Sequence, residues 1–111
     1  MDNTEFIEIA EDTLQKIFEA IEEADQEYLL EMDFMDGMLD IELPDGRKYI
    51  INRHNSSQQI WVSSPISGAS HFSYEEDEEI WKDSADNDIN EFLTQELKQV
   101  AGLNIKKYLE V

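Results

Sequence analysis

The sequence predicts an α+β fold in which two helices cover one face of an antiparallel sheet of about six strands. Apolar residues recur with the helical period near both ends of the chain, and between those segments they alternate with polar residues. Turn-forming residues separate the alternating runs at short intervals. Because 111 residues are the size of one ordinary domain, we expect residues 1–111 to form a single domain.

The first predicted element is an amphipathic helix from about Thr4 to Ala24. Its apolar side chains recur three or four residues apart, while acidic side chains occupy the other face. Thr4 is the expected N-cap, since its side chain could accept a hydrogen bond from a free backbone N–H. Acidic residues continue to the C-terminal end of the helix, where its dipole disfavours them. This break of a local rule marks a candidate functional surface.

The period changes to two from about Tyr28, which predicts two strands joined by a tight turn. Asp36 and Gly37 suit a two-residue type I′ turn, because both of its positions need a positive φ. With this turn, acidic residues oppose one another across the strands in two pairs: Asp33 with Asp40, and Glu31 with Glu42. Like charges in such pairs destabilise a sheet, so we expect a cation to offset them.

Four further strands are predicted, at about residues 47–53, 59–63, 70–74 and 80–82. A three-residue loop at 44–46 with a left-handed Gly46 would place Glu42 opposite Lys48. A two-residue loop would reverse the faces of the next strand, because side chains alternate along it. In the strand at 59–63 the aliphatic side chains share one face, so Trp61 faces solvent if that face is the core.

A second helix is predicted from the helical spacing of apolar residues between Ile89 and Val100, and it should end at Gly102. Polar residues between Asp83 and Asn87 are the cap candidates. Further apolar residues follow the helix, and their exposure to water would be costly, so we expect them to pack against the core: Leu103, Ile105, Tyr108 and Leu109.

The composition excludes several classes of function. The 27 Asp and Glu residues outnumber the 8 Lys and Arg residues, giving a formal net charge of −19. Phosphate backbones and anionic lipids would repel such a chain, so we predict that it binds neither nucleic acid nor membranes. Without cysteine, it has no thiolate ligand or cysteine nucleophile. It lacks a membrane-spanning run and the basic start of a signal peptide, so the expected location is the cytoplasm.

The middle of the chain resembles a known family. Residues 49–53 (Tyr-Ile-Ile-Asn-Arg) and 59–65 (Gln-Ile-Trp-Val-Ser-Ser-Pro) are similar to the signature of the frataxin family. The resemblance to bacterial frataxins extends over nearly the whole chain, including its opening residues 2–6. It implies a frataxin-like two-layer sandwich of an antiparallel sheet and two helices. It also implies weak iron binding, and docking on a cysteine desulfurase and its iron–sulfur scaffold protein during cluster assembly.

The resemblance further implies two functional surfaces. One is an acidic ridge that would bind iron, and it comprises Glu19, Glu22, Glu23, Asp25, Glu27, Glu31 and Asp33. The acids predicted across the hairpin from this ridge, Asp40 and Glu42, are additional candidates. The other is an outer sheet surface that would contact the protein partner, and it comprises Asn52, Gln59, Trp61, Ser64 and Pro65.

Carboxylate oxygen is the ligand that this chain offers in quantity. It contains no Glu-x-x-His pair of the ferritin-like kind and no His-Glu-x-x-His motif, and His54 and His71 lie far from the first helix in sequence. We therefore expect a shallow site for Fe²⁺ or Fe³⁺ that other divalent cations can also occupy. The alternative interpretation is that these acids only keep a helix face soluble.

The sequence and the resemblance together predict a non-enzymatic, iron-binding regulator of iron–sulfur cluster assembly. We expect a monomer that iron could assemble into oligomers. An alternative function is that of a ferroxidase or iron store, which would need a defined redox site. A more distant alternative is an acidic decoy for a DNA-binding protein.

Overall fold

The structure, a computed structural model, describes residues 1–109. The elements are α1 (Asn3–Ala24), β1 (Glu31–Met35), β2 (Met38–Glu42), β3 (Lys48–His54), β4 (Gln59–Ser64), β5 (Gly68–Glu75), β6 (Ile80–Lys82), α2 (Ile89–Ala101) and α3 (Lys106–Leu109). The strands pair in chain order as one antiparallel sheet. The core lies between the helices and one face of this sheet, so the predicted α+β sandwich is confirmed.

Helix α1 begins two residues after the N-terminus. Asp2 has an extended backbone, and its side chain accepts a hydrogen bond from the backbone N–H of Glu5 at 2.8 Å. The prediction of Thr4 as N-cap is therefore wrong. Aspartate caps at least as well as threonine, and its charge favours the positive end of the helix dipole. The buried face of α1 comprises Phe6, Ala10, Leu14, Ile17, Ala20 and Ile21.

The turn between β1 and β2 has the predicted form. Asp36 and Gly37 have φ angles of 53° and 74°, and the four acids oppose one another in the predicted pairs. A Cβ atom on Gly37 would collide with the side chain of Arg53, which would have to move. Glycine suits this position mainly because its φ is positive, a conformation that other residues adopt only with strain.

The turn between β2 and β3 is the three-residue alternative. Gly46 has a φ of 91°, and Glu42 pairs with Lys48 as predicted. This register buries Tyr49 and Ile51 and turns Ile50 and Asn52 toward the outer face of the sheet. The turn thus determines which β3 side chains can contact a partner, because a shift of one residue would exchange the two faces.

The two tryptophans lie on opposite sides of the sheet. The side chain of Trp81 is in the core, where its ring meets Phe6 edge to face at 6.0 Å and its Nε1–H donates to Oγ1 of Thr13 at 2.9 Å. Trp61 lies on the outer face, because its neighbours Ile60 and Val62 are the buried residues of β4. The predicted face of Trp61 is confirmed.

Helix α2 ends at the predicted residue but begins with a different cap. Its N-cap is Asp88, whose side chain accepts from the N–H of Asn90 at 3.0 Å, so the cap range 83–87 is wrong. Gly102 adopts a left-handed conformation at the C-cap, and Leu103 and Ile105 are buried as expected. Within residues 1–109, no helix has both the length and the apolar character that a membrane crossing requires.

Candidate functional site

The last turns of α1 carry an acidic surface along a groove that Lys16 also lines. Glu19, Glu22 and Glu23 are exposed, and none of them forms an ion pair with another of residues 1–109. Lys16, which lies close by, pairs instead with Asp12 at 3.0 Å. An open groove of about 630 Å³ runs along the three glutamates. Because like charges at helical spacings repel, this surface attracts cations.

Asp25 is one of the residues of the predicted acidic ridge, but its side chain does not lie on the exposed surface. Its carboxyl group is buried, with 5% of the residue exposed. One oxygen accepts from the backbone N–H of Leu29 at 2.8 Å, and the other accepts from that of Leu30 at 2.9 Å. The placement of Asp25 as an exposed metal ligand is therefore wrong. It holds together the loop that follows α1, because two N–H groups there would otherwise lack a partner.

The acids of the β1–β2 hairpin are partly neutralised within the chain. Glu31 and Asp33 are exposed on the outer face of the sheet, and Glu27 is exposed in the loop before β1. Across the sheet, Nζ of Lys48 lies 3.5 Å from the carboxylate of Asp40 and 3.8 Å from that of Glu42. Lys48 thus supplies part of the positive charge that was expected at the hairpin. The β1 acids, Glu31 and Asp33, remain more available to bind a metal ion than the β2 acids.

The role of Lys48 leads to a testable prediction. Replacing it in Lys48→Gln should strengthen Mg²⁺ or Fe²⁺ binding at the hairpin about two- to fivefold, because exposed ion pairs contribute up to about 1 kcal/mol. Metal titrations followed by NMR at the amides of Asp33 and Asp40 would measure the change. Lys106→Gln removes a comparable pair with Glu91 and should have no effect there. Unchanged affinity in Lys48→Gln would contradict the competition between lysine and metal.

The candidate ligands do not converge on a single point. Within residues 1–109, no three carboxylate or imidazole side chains come close enough together to hold one metal ion. The exposed acids instead lie on three successive segments, which are the end of α1, the loop after it, and β1. A cation on this surface would therefore contact one or two carboxylates, with water as its other ligands.

Trp61 is held in a stack of three rings on the outer sheet face. Its indole lies between the imidazole of His54, at 3.6 Å between ring centroids, and that of His71, at 4.4 Å. The indole N–H donates to Oε1 of Gln59 at 2.9 Å, and Asn52 is the directly opposed residue on β3. The ring is thus half-buried and fixed in orientation, as suits an aromatic contact residue.

Ser64 does not lie on this outer surface, so that part of the prediction is wrong. The residue is 7% exposed, and its hydroxyl donates to Oε1 of Glu96 at 2.6 Å. Side chains alternate along β4, which places Ser64 on the core side with Val62. Pro65, the next residue, is partly exposed.

The sequence analysis missed the residues that surround Ser64. Glu96 on α2 accepts hydrogen bonds from Tyr49, at 2.7 Å, and from Ser67. Burial and the neighbouring carboxylate raise the pKa of the Tyr49 phenol, so it remains a donor. The sequence did contain a signal that Glu96 is buried. This charged residue lies three positions after Leu93 and next to Leu97, within the apolar stripe of the helix.

Comparison with known proteins identifies relatives along almost the full length of the chain. Residues 1–103 match the family model of the frataxin-like domain. Two similar bacterial proteins are each described as iron-sulfur cluster assembly protein CyaY. The one from Thioalkalivibrio sulfidiphilus is 37% identical over 98 residues, which are 87% of this chain and 91% of that protein. The one from Dechloromonas aromatica is 36% identical over 103 residues, 92% and 94% of the two chains.

Solved structures show the same fold. Frataxin from Psychromonas ingrahamii has a TM-score of 0.82 at 27% identity, over 94% of this chain and 95% of that one. A trimeric frataxin from Saccharomyces cerevisiae, complexed with ferrous iron, has a TM-score of 0.72 at 24% identity, over 85% and 86%. At this identity the likeness to the yeast protein concerns the fold alone.

Proposed function

Because the chain belongs to the frataxin-like family, we propose that it is an iron-binding regulator of iron–sulfur cluster assembly that docks on a cysteine desulfurase and its scaffold protein. The observation that carries this proposal is the unpaired acidic surface at the end of α1. Glu19, Glu22 and Glu23 are exposed there, without ion pairs to the rest of residues 1–109. Such a surface favours both a metal cation and a basic protein surface.

Iron would bind along the exposed acids in the proposed mechanism. The proposed ligands are Glu19, Glu22, Glu23, Glu27, Glu31 and Asp33, with Asp40 and Glu42 weakened by Lys48. Carboxylate oxygens accept Fe²⁺ but also other divalent ions, so binding would be weak and unselective. The bound ion would reduce the repulsion between neighbouring carboxylates, and at high loading this would let monomers approach one another.

The partner would contact two surfaces. The acidic surface would be attracted to a basic patch on the desulfurase, which speeds encounter and makes affinity dependent on salt. The Trp61 surface, with Asn52, Gln59 and Pro65, would then supply the apolar and hydrogen-bonding contacts. Since the same carboxylates serve iron and the basic patch, bound iron would change the affinity for the desulfurase.

NMR titration of the ¹⁵N-labelled protein with the desulfurase tests this proposal. At low salt we expect shifts at the amides of Glu19, Glu22 and Glu23 and at the indole N–H of Trp61, because both surfaces are in contact. A parallel titration with Fe²⁺ should broaden the α1 and β1 signals and leave the Trp61 indole unchanged. Desulfurase binding that spares both surfaces would contradict the docking mechanism, and iron broadening confined to other segments would contradict the proposed ligands.

A further inference from the structure

Both faces of the Trp61 indole are covered by other rings of the same chain. The His54 imidazole is within 8° of parallel to the indole, and the His71 imidazole is within 19°. These rings approach from opposite sides, because β3 and β5 flank β4 in the sheet. The indole N–H is also engaged, since it donates to Gln59. A partner can therefore reach Trp61 only at the edge of its ring.

The strand register explains why the three rings stack. His71 on β5 is directly opposite Trp61 on β4, whereas His54 on β3 is opposite Gln59 and is thus the diagonal neighbour of Trp61. Alternation places all three side chains on the outer face. Directly opposed and diagonal side chains come within reach of each other when they are aromatic. The stack therefore follows from the pairing of three strands.

Hydrogen bonds fix the stack at both ends. Nδ1 of His54 and Oγ of Ser57 form a hydrogen bond at 2.7 Å, which links the first ring to the turn between β3 and β4. Gln59, which accepts from Trp61, donates through Nε2 to Oγ of Ser73 on β5 at 3.1 Å. A side chain that is already ordered loses less conformational entropy when a partner binds. The stack thus preorganises the Trp61 surface.

Charged groups approach His54 from the neighbouring elements. The backbone N–H of Arg53 donates to the carbonyl of Gly37 at 2.9 Å, which brings the β1–β2 turn, with its exposed Asp36, alongside. Alternation turns the Arg53 side chain to the inner side, where it pairs with Glu11 on α1 at 3.2 Å. The positive charge of Arg53 is therefore already paired with a carboxylate away from the ring stack.

The charged groups near His71 line an open groove of about 480 Å³ beside β5. Lys82 in this groove pairs with Glu78 at 2.9 Å and with Asp86 at 3.1 Å. Neither His54 nor His71 forms an ion pair with another of residues 1–109, so no single carboxylate holds either imidazole in its charged form. The charged residues that share the groove with His71 are Glu75, Lys82, Asp83 and Asp86.

Proton uptake by the two histidines changes the charge of the Trp61 surface. Histidine ordinarily gains a proton between about pH 8 and pH 5. The chain has no acidic residue from Gly46 to Tyr74, so the added charges lie on a part of the sequence without carboxylates. Docking would remove the imidazole edges from water, which disfavours their charged form, and the proposed partner surface is basic, which repels it. Protonation should therefore weaken docking.

We propose that His54 and His71 are positioning residues that hold Trp61 with its edge toward the partner and make docking dependent on pH. This inference rests on the proposed function, since the occupant is the desulfurase–scaffold complex. Protonation leaves the stack in place, because a cation over an indole face is attracted to it. The complex is thus favoured when both imidazoles are neutral, and it releases protons when it forms in mildly acidic solution.

Calorimetric titration of the desulfurase–scaffold complex at about pH 8 and about pH 6 tests the pH dependence. The matched control carries His54→Phe and His71→Phe, whose rings stack on an indole but take up no proton. Groups that titrate on the partner or on the acidic surface affect both proteins equally. We expect the loss of affinity between the two pH values to be about tenfold larger in the original protein. Equal losses in both proteins would overturn the inference.

A second comparison tests the positioning role. Replacing both histidines in His54→Ala and His71→Ala removes the stack, so at about pH 8 the affinity should fall about fivefold, and the phenylalanine variant should restore it. NMR signals of the Trp61 ring should broaden or shift in the alanine variant only. Thermal unfolding should stay cooperative in both, because the histidines lie outside the core. If the double alanine variant does not fold, His71→Ala alone serves instead. Unchanged affinity on loss of the stack would overturn the inference.

Trp61→Ala separates this inference from the proposed function. If it weakens binding at about pH 8 while the histidine variants behave like the original protein, only the role of the histidines fails. If Trp61→Ala also binds normally, the proposed docking surface fails as well.

Discussion

Reversing the charge of Glu19, Glu22 and Glu23 to lysine should weaken binding of the desulfurase by about a hundredfold at low salt. Each substitution changes the charge by two units, so the formal net charge goes from −19 to −13. Losing about 1 kcal/mol at each of three contacts with a basic surface corresponds to that loss of affinity. Calorimetric titration at low and high salt would measure it, and the difference should shrink at high salt because exposed charges are screened.

A second triple variant is the matched control. Glu76→Lys, Asp77→Lys and Glu79→Lys change the net charge by the same amount in the exposed turn before β6, where we assign the acids to solvation only. This control should retain most of the affinity. Equal losses in both variants would mean that net charge alone attracts the partner. Unchanged binding in the α1 variant would remove the electrostatic mechanism altogether.

The second large effect is expected at Trp81. Trp81→Ala should lower the free energy of unfolding by about 3–5 kcal/mol, as is typical when a buried aromatic is truncated. It removes the edge-to-face contact with Phe6, the contact with Tyr74 and the hydrogen bond to Thr13. Urea unfolding followed by far-UV circular dichroism would give the difference between the two proteins.

Trp61→Ala is the matched control within the same chain. Trp61 is half-buried on the outer face, where it stacks on His54 and His71 and donates to Gln59, so its loss should cost about 1 kcal/mol of stability. Its effect should instead be seen in affinity for the desulfurase–scaffold complex, which we expect to fall at least tenfold. A stability loss in Trp61→Ala as large as that in Trp81→Ala would mean that the outer face is structural.

Ser64 shows how the family resemblance and the strand pattern can disagree. The resemblance placed Ser64 on the outer surface together with Trp61. Strand alternation, counted from Val62, places the serine on the opposite face, and the structure agrees with the alternation. The period of a strand is therefore the safer guide to which side chains are exposed, because it follows directly from backbone geometry.

The sequence by itself determined the register of the β1–β2 hairpin and the negative charge of the α1 surface. Residues 36 and 37 set the turn, the turn set which acids oppose one another, and an excess of carboxylates over basic residues made the α1 surface negative. These features depend on neighbours within a few positions along the chain, or on composition.

Only the tertiary structure decided which polar groups are used internally. Asp25 binds two N–H groups because its loop folds back, and Lys48 reaches Asp40 as well as Glu42. Glu96 meets Tyr49 from 47 residues away and Ser64 from 32. The physical reason is that a hydrogen bond or ion pair requires atoms within about 3–4 Å. Sequence spacing does not determine such distances between residues on separate elements.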